Sequence, residues 1–133
     1  MADPLHRKGL LLKSDPIAAT FREEVRLGLQ NCALRPKLVG ILSTTSSPSN
    51  NYAEFTRKQC EELGLDFVLK KTGAALSPNL SEGEGVEEAI IEANEDSSVN
   101  GIMVTDHFFI YNRIACPMVI VKGLFPNLRT SAG

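Results

Sequence analysis

The chain has 133 residues, which allows one domain of ordinary size. Hydrophobic residues make up 43% and charged residues 23%, a globular composition, and the net charge of -2 gives no basic footprint for nucleic acid. The apolar runs at 102–104 and 118–121 are too short to cross a bilayer, which takes about 20 residues, and Leu10–Leu12 is too short for a secretory core of roughly 7–15.

The three cysteines, Cys32, Cys60 and Cys116, are odd in number and form no CxxC. Free thiols in a reducing, cytoplasmic compartment are expected. His6 and His107 lie far apart, so no metal site is expected.

The first predicted element is a helix. Ser14 and Asp15 can cap it, Pro16 suits its first turn, and Ile17, Phe21, Val25 and Leu29 recur at i+4 as one apolar stripe. Arg35-Pro36 should end it. Residues 38–42 form a short apolar run that reads as a buried strand. Residues 43–51, rich in Ser, Thr and Asn, read as a loop, and a second helix is expected over about 49–63. Tyr52, Thr56, Cys60 and Leu63 share one of its faces, with Gly64 as the C-cap. A second strand follows at 65–70, ending in a solvated Lys70-Lys71 pair.

Residues 72–85 read as a loop in which Ser81 and Glu84 have capping-box spacing. The next helix carries Val86, Ala89, Ile90 and Ala93 at i, i+3, i+4 and i+7. A polar turn at 94–100 leads to a third strand, 101–104. Helices alternating with strands predict an α/β layer with a short parallel sheet.

Gly83-x-Gly85 resembles half a dinucleotide fingerprint, but Glu88 stands at the third glycine's position and a loop, not a strand, precedes it. A flexible lead into the helix is the expected role. Cys60, mid-helix on the apolar face, is expected to pack as a small hydrophobe. Tyr52 and Thr56 are more suggestive. They share a face just after the carboxyl end of the first strand, where open α/β sheets bind ligands. The ring can stack on a flat heterocycle and the hydroxyl can hydrogen-bond it. The alternative is packing beneath a loop.

Three segments together, KLVGILSTTSSPSNNYAEFTRKQCEELGLDFVLKK, VEEAIIEANEDSSVNG and GIMV, resemble the methylenetetrahydrofolate dehydrogenase/cyclohydrolase family, most of all its monofunctional, NAD-dependent branch. The likeness runs from about residue 14 to 104. It implies a truncated folate-binding domain over 1–104, an incomplete three-layer α/β domain whose Rossmann partner domain is missing. It also implies the oxidation of 5,10-methylenetetrahydrofolate to the methenyl form, a step in one-carbon metabolism and purine biosynthesis. NAD is the cofactor of the intact family, and none is expected to bind this chain alone.

In the family's Tyr-x-x-x-Lys motif the Tyr contacts the folate and the Lys supports the cyclohydrolase step. Those positions are Tyr52 and Thr56 here. Threonine supplies no titrating group near neutral pH, and Lys58 falls on another face, so cyclohydrolase activity is not expected. The resemblance implies substrate-binding residues Tyr52, Thr56 and Val104, no catalytic residue, and no activity in isolation. It implies a folate substrate, no membrane or nucleic-acid partner, and homodimers as in many family members. The alternative is a non-catalytic small α/β binding module or an inert fragment.

Residues 105–133 depart from the family's pattern. Codons permitted for 124–133, read one base on, spell Tyr-Phe-Pro-Ile-Phe-Gly-Arg-Gln-Gln, the run expected after GIMV. The Val104 codon begins with a splice-donor GT, and an acceptor AG can close at Lys122-Gly123. The tail is therefore expected to be a retained intron followed by a frameshifted exon. The alternative is a genuine divergent strand at Val119–Val121.

Overall fold

A computed structural model describes residues 9–105 and the strand Met118–Val121. Cys116, both histidines and, apart from that strand, the tail beyond Thr105 lie outside the described residues. The chain divides into two compact units, Met1–Cys32 and Ala33–Gly133.

The first unit carries helix α1 (Asp15–Gln30). Ser14 stands at its N-cap without a side-chain cap bond, and the Ala18 amide donates to the Ser14 carbonyl at 2.9 Å. The helix stops short of Arg35-Pro36. The amides of Asn31 and Cys32 fold back onto Gly28 and Leu29, at 3.2 and 3.1 Å, and so occupy carbonyls at the helix end. No residue of α1 is buried, and its expected stripe of Ile17, Phe21 and Val25 is exposed.

The second unit is built on a sheet of β1 (Lys37–Leu42), β2 (Asp66–Lys71), β3 (Gly101–Val104) and β4 (Met118–Val121) in the order β2-β1-β3-β4. β1 is parallel to both β2 and β3, with Val39 opposite Val68 and Ile102. The fourth strand is antiparallel to β3, so the sheet is not wholly parallel. Helix α2 (Ser47–Leu63) links β1 to β2, and α4 (Val86–Glu95) links β2 to β3. The crossover from β1 to β2 and the one from β2 past β1 to β3 run in opposite directions across the sheet. Right-handed connections therefore put the helices on opposite faces, which gives the layered α/β arrangement.

The core forms where α4 meets one face of the sheet. Val39, Ile41, Ile102 and Val104 alternate onto that face and pack with Val86, Ala89 and Ala93. Val99, read from sequence as part of a polar turn, also joins this core. Asp96 holds the turn by accepting from the Ser98 amide and hydroxyl, at 2.8 and 2.6 Å. On the other face, a Cβ at Gly40 would stand 2.7 Å from the Phe67 ring of the neighbouring strand, so glycine lets that ring lie across β1.

Two local readings change. Residues 72–85 are not all loop, because Gly73–Leu76 forms a short helix, α3. The Ser81/Glu84 pair does not cap α4. Glu84 accepts from the Ser81 amide at 2.9 Å within the preceding turn, and the N-cap is Gly85, at φ +77°. A left-handed residue there favours glycine, which ends the turn one residue beyond the box.

Candidate functional site

The carboxyl ends of β1, β2 and β3 converge on a row of small polar residues. Ser43, Thr44, Thr72 and Thr105 are all buried. The Thr72 amide donates to the Leu42 carbonyl at 2.9 Å. On the other side, Thr105 donates from its amide and its hydroxyl to the Ile41 carbonyl, at 2.9 and 3.1 Å. Thr72 Oγ1 is buried with no hydrogen-bond partner among the described residues. Buried polar atoms are usually paired, because an unmet one costs roughly 1–3 kcal/mol.

A turn closes over this row. The Gly83 amide donates to Ser43 Oγ at 2.6 Å, and Thr44 Oγ1 donates to Glu82 Oε1 at 2.6 Å. Gly73, at φ +48°, lies beneath the turn, where a Cβ would run into Ser43 Oγ and the Ser81 carbonyl. The Gly83 amide is thus committed to the strand end, and the Gly83-x-Gly85 pair is a structural turn with both glycines left-handed.

Helix α2 rises from the same edge. Its first turn begins at Ser47, two residues before the sequence suggests, with a proline at the start. Its buried residues are Ser49, Ala53 and Cys60. Tyr52 is therefore on the margin of the buried face and is 44% exposed. Its ring is available to a flat ligand. Thr56, one turn on, is half-buried, and its hydroxyl donates to the Tyr52 carbonyl at 3.0 Å. That donor is used within the helix, leaving the lone pairs to accept. Val104 differs from both, because its side chain lies in the α4-facing core. Any contact it makes with a ligand goes through its main chain.

Threonine at position 56 carries no group that titrates near neutral pH. Arg57 bridges Glu54 and Glu61, which raises the Arg57 pKa, while Arg57 holds the Glu54 carboxyl below its ordinary value. Cys60 is buried and free, and burial, followed by the charge of Glu61, pushes its thiol pKa up. A protonated thiol is a poor nucleophile. Gly64 caps the helix as expected, at φ +84°, and the Leu65 amide returns to the Cys60 carbonyl at 2.8 Å. Among the described residues no group of three His, Cys, Asp or Glu could hold a metal. No helix there is long and apolar enough to cross a membrane.

The profile of tetrahydrofolate dehydrogenase/cyclohydrolase, catalytic domain, matches residues 12–106. The chain belongs to this family. Among relatives, it is 35% identical over 96 residues to "Methylenetetrahydrofolate dehydrogenase [NAD(+)]" of Schizosaccharomyces pombe, covering 72% of this chain and 27% of that protein. The Dictyostelium discoideum protein of the same name is 35% identical over 89 residues, covering 67% and 26%. Among solved structures, the NAD-dependent 5,10-methylenetetrahydrofolate dehydrogenase of Saccharomyces cerevisiae matches with a TM-score of 0.62 and 31% identity, covering 74% of this chain and 30% of that one. The chain thus spans between a quarter and a third of the length of these relatives. The matched span places β1, β2, β3, α2 and α4 in the family's catalytic domain.

The buried row at the strand ends was not singled out from sequence. Its signal was Ser43-Thr44 directly after an apolar strand, which reads as the start of a loop. The partners that bury it, Gly73, Glu82 and Gly83, come from a segment far along the chain.

Proposed function

We propose that this chain binds a reduced folate as the substrate-holding part of a methylenetetrahydrofolate dehydrogenase. The observation that carries the proposal is the half-exposed Tyr52 on the first turns of α2, rising from the carboxyl edge of the sheet. Ligands of open α/β sheets gather at that edge. Tyr52 stacks on the folate, Thr56 borders it as an acceptor, and Val104 contributes main chain only. The reaction that goes with this reading is oxidation of 5,10-methylenetetrahydrofolate to the methenyl form. The cyclohydrolase step does not go with it, because Thr56 carries no proton-transfer group and Arg57 is paired with two carboxylates.

Among the described residues, the Gly83-x-Gly85 pair does not fit a dinucleotide. The one glycine pair of suggestive spacing follows a turn and spends its Gly83 amide on Ser43. This part binds and orients folate, and NAD is held elsewhere in the intact family. The 133 residues alone therefore do not form NADH. A cytoplasmic place, a role in supplying purine biosynthesis and a homodimeric assembly accompany this reading. The family match ends at residue 106, close to the boundary after residue 104 in this reading, whereas β4 (Met118–Val121) pairs with β3 beyond it and favours the alternative of a genuine strand there. A retained intron with a frameshifted exon is the other reading of the tail, and a mature transcript lacking the codons of 105–122 is the finding it expects.

Calorimetric titration with tetrahydrofolate tests the binding. Tyr52→Ala should weaken it at least about fivefold, since base-type stacking on an aromatic ring is worth about 1–3 kcal/mol. Equal binding by the two forms would refute the role of Tyr52. Absence of binding by the wild-type chain would leave the alternative of an inert fragment.

A further inference from the structure

We propose that Glu82 is a positioning residue, which sets the first turn of α2, and with it Tyr52, through Thr44. This rests on the folate reading of Tyr52 given above. The chain of contacts is short. Thr44 is 1% exposed, and its single hydroxyl proton goes to Glu82 Oε1 at 2.6 Å. A hydroxyl donating to a carboxylate at this distance is a strong, charge-assisted bond. With its proton so directed, Thr44 Oγ1 presents a lone pair, which accepts the Ser46 amide at 3.1 Å. Ser46 is the N-cap residue of α2, and its carbonyl receives the Asn50 amide at 3.0 Å and the Asn50 side-chain nitrogen at 2.9 Å.

Ser46 makes no side-chain cap bond, and no acidic residue stands in the first turn of α2. The geometry of that turn is thus set from outside the helix, by a residue far along the chain. The turn carrying Glu82 is itself fixed. Gly83 donates to Ser43, Glu84 accepts from Ser81, and Gly73 leaves room beneath. Two adjacent bonds, 44 to 82 and 43 to 83, clip this turn to the end of β1. The carboxylate is exposed, so it is not needed to fill the core. Its role is directional: it decides which way the buried hydroxyl faces.

The test uses the full chain and four variants: Glu82→Ala, Glu82→Gln, Thr44→Val and the Glu82→Ala/Thr44→Val pair. Three quantities are read: amide hydrogen exchange at 50–53, the ring resonances of Tyr52, and the urea midpoint. Glu82→Ala should speed exchange at 50–53 at least fivefold and shift the Tyr52 ring, with exchange in β1 and β3 unchanged. Glu82→Gln keeps an acceptor oxygen and should restore most of both. The paired variant should match Thr44→Val alone, because both substitutions break one linkage. Additive effects would overturn the proposal. So would a fall in midpoint with exchange at 50–53 rising only in step with the whole sheet. Tetrahydrofolate titration is a separate arm, in which Glu82→Ala should weaken binding several-fold and Glu82→Gln should recover it. If the wild-type chain does not bind folate, the folate reading fails, while exchange and ring resonances still decide the linkage.

Discussion

Helices α1 and α4 carry apolar repeats of the same kind, yet they end differently. In α1, Ile17, Phe21 and Val25 recur at i+4 and all remain exposed, Phe21 at 62%. In α4, Val86, Ala89 and Ala93 are buried against β1 and β3. Two of these three α4 residues are alanine, which brings the helix backbone close to the sheet. The α1 stripe is large-sided and belongs to the unit Met1–Cys32, which has no strand among its described residues. Periodicity therefore fixes which side of a helix is apolar. It does not say what that side meets.

Substitutions on the two sides sharpen the contrast. The largest effect is expected at Ile41, a β1 residue fully buried on the face that meets α4. Ile41→Ala should cost about 2–5 kcal/mol, read from the urea unfolding midpoint. Next comes Gly73→Ala, where a left-handed backbone and a Cβ meeting Ser43 and Ser81 should cost about 1–3 kcal/mol. A cost below that of an exposed glycine such as Gly28 would contradict the close fit of the turn.

Cysteine chemistry gives a smaller contrast. Cys32 is exposed and Cys60 buried, so iodoacetamide should modify Cys32 at least roughly tenfold faster in a Cys116→Ser background. The pH dependence follows from the raised pKa of Cys60. Folding favours its neutral thiol, so this contribution is complete below the ordinary thiol value of about 8.5 and is lost as pH rises through the higher folded value. The unfolding midpoint of the wild type should then fall more steeply above that pH than that of Cys60→Ala. The smallest effect is expected at Phe21, where Phe21→Ala should change stability by no more than about 0.5 kcal/mol. A loss as large as that at Ile41 would mean that the α1 stripe is covered.

What could be read in the sequence follows the same line. β3 and the buried set on α4 were legible because short-range periodicity and burial coincide there. The Gly64 cap was legible for a local reason, a glycine just past the last periodic residue. The buried row was not, since Ser43 and Thr44 are buried by groups from 73–83, and only the folded chain brings these together. Val99 was hidden in the same way among Asp, Ser and Asn. Tyr52 and Thr56 were correctly placed on one helix, but the buried face is set by Ala53 and Cys60. That moves Tyr52 to the margin and turns the Thr56 hydroxyl back to its own helix.

The missing side chain at Gly40 has a consequence for how this domain can vary. The ring of Phe67 occupies the space over β1 that any larger residue at 40 would need, with 2.7 Å left to a first carbon atom. Positions 40 and 67 are therefore not free to drift separately. A bulkier residue at 40 requires the Phe67 ring to swing aside or to give way to a smaller side chain. In a collection of natural variants of this domain, exchange at one position should often be accompanied by exchange at the other, although 26 residues of chain lie between them.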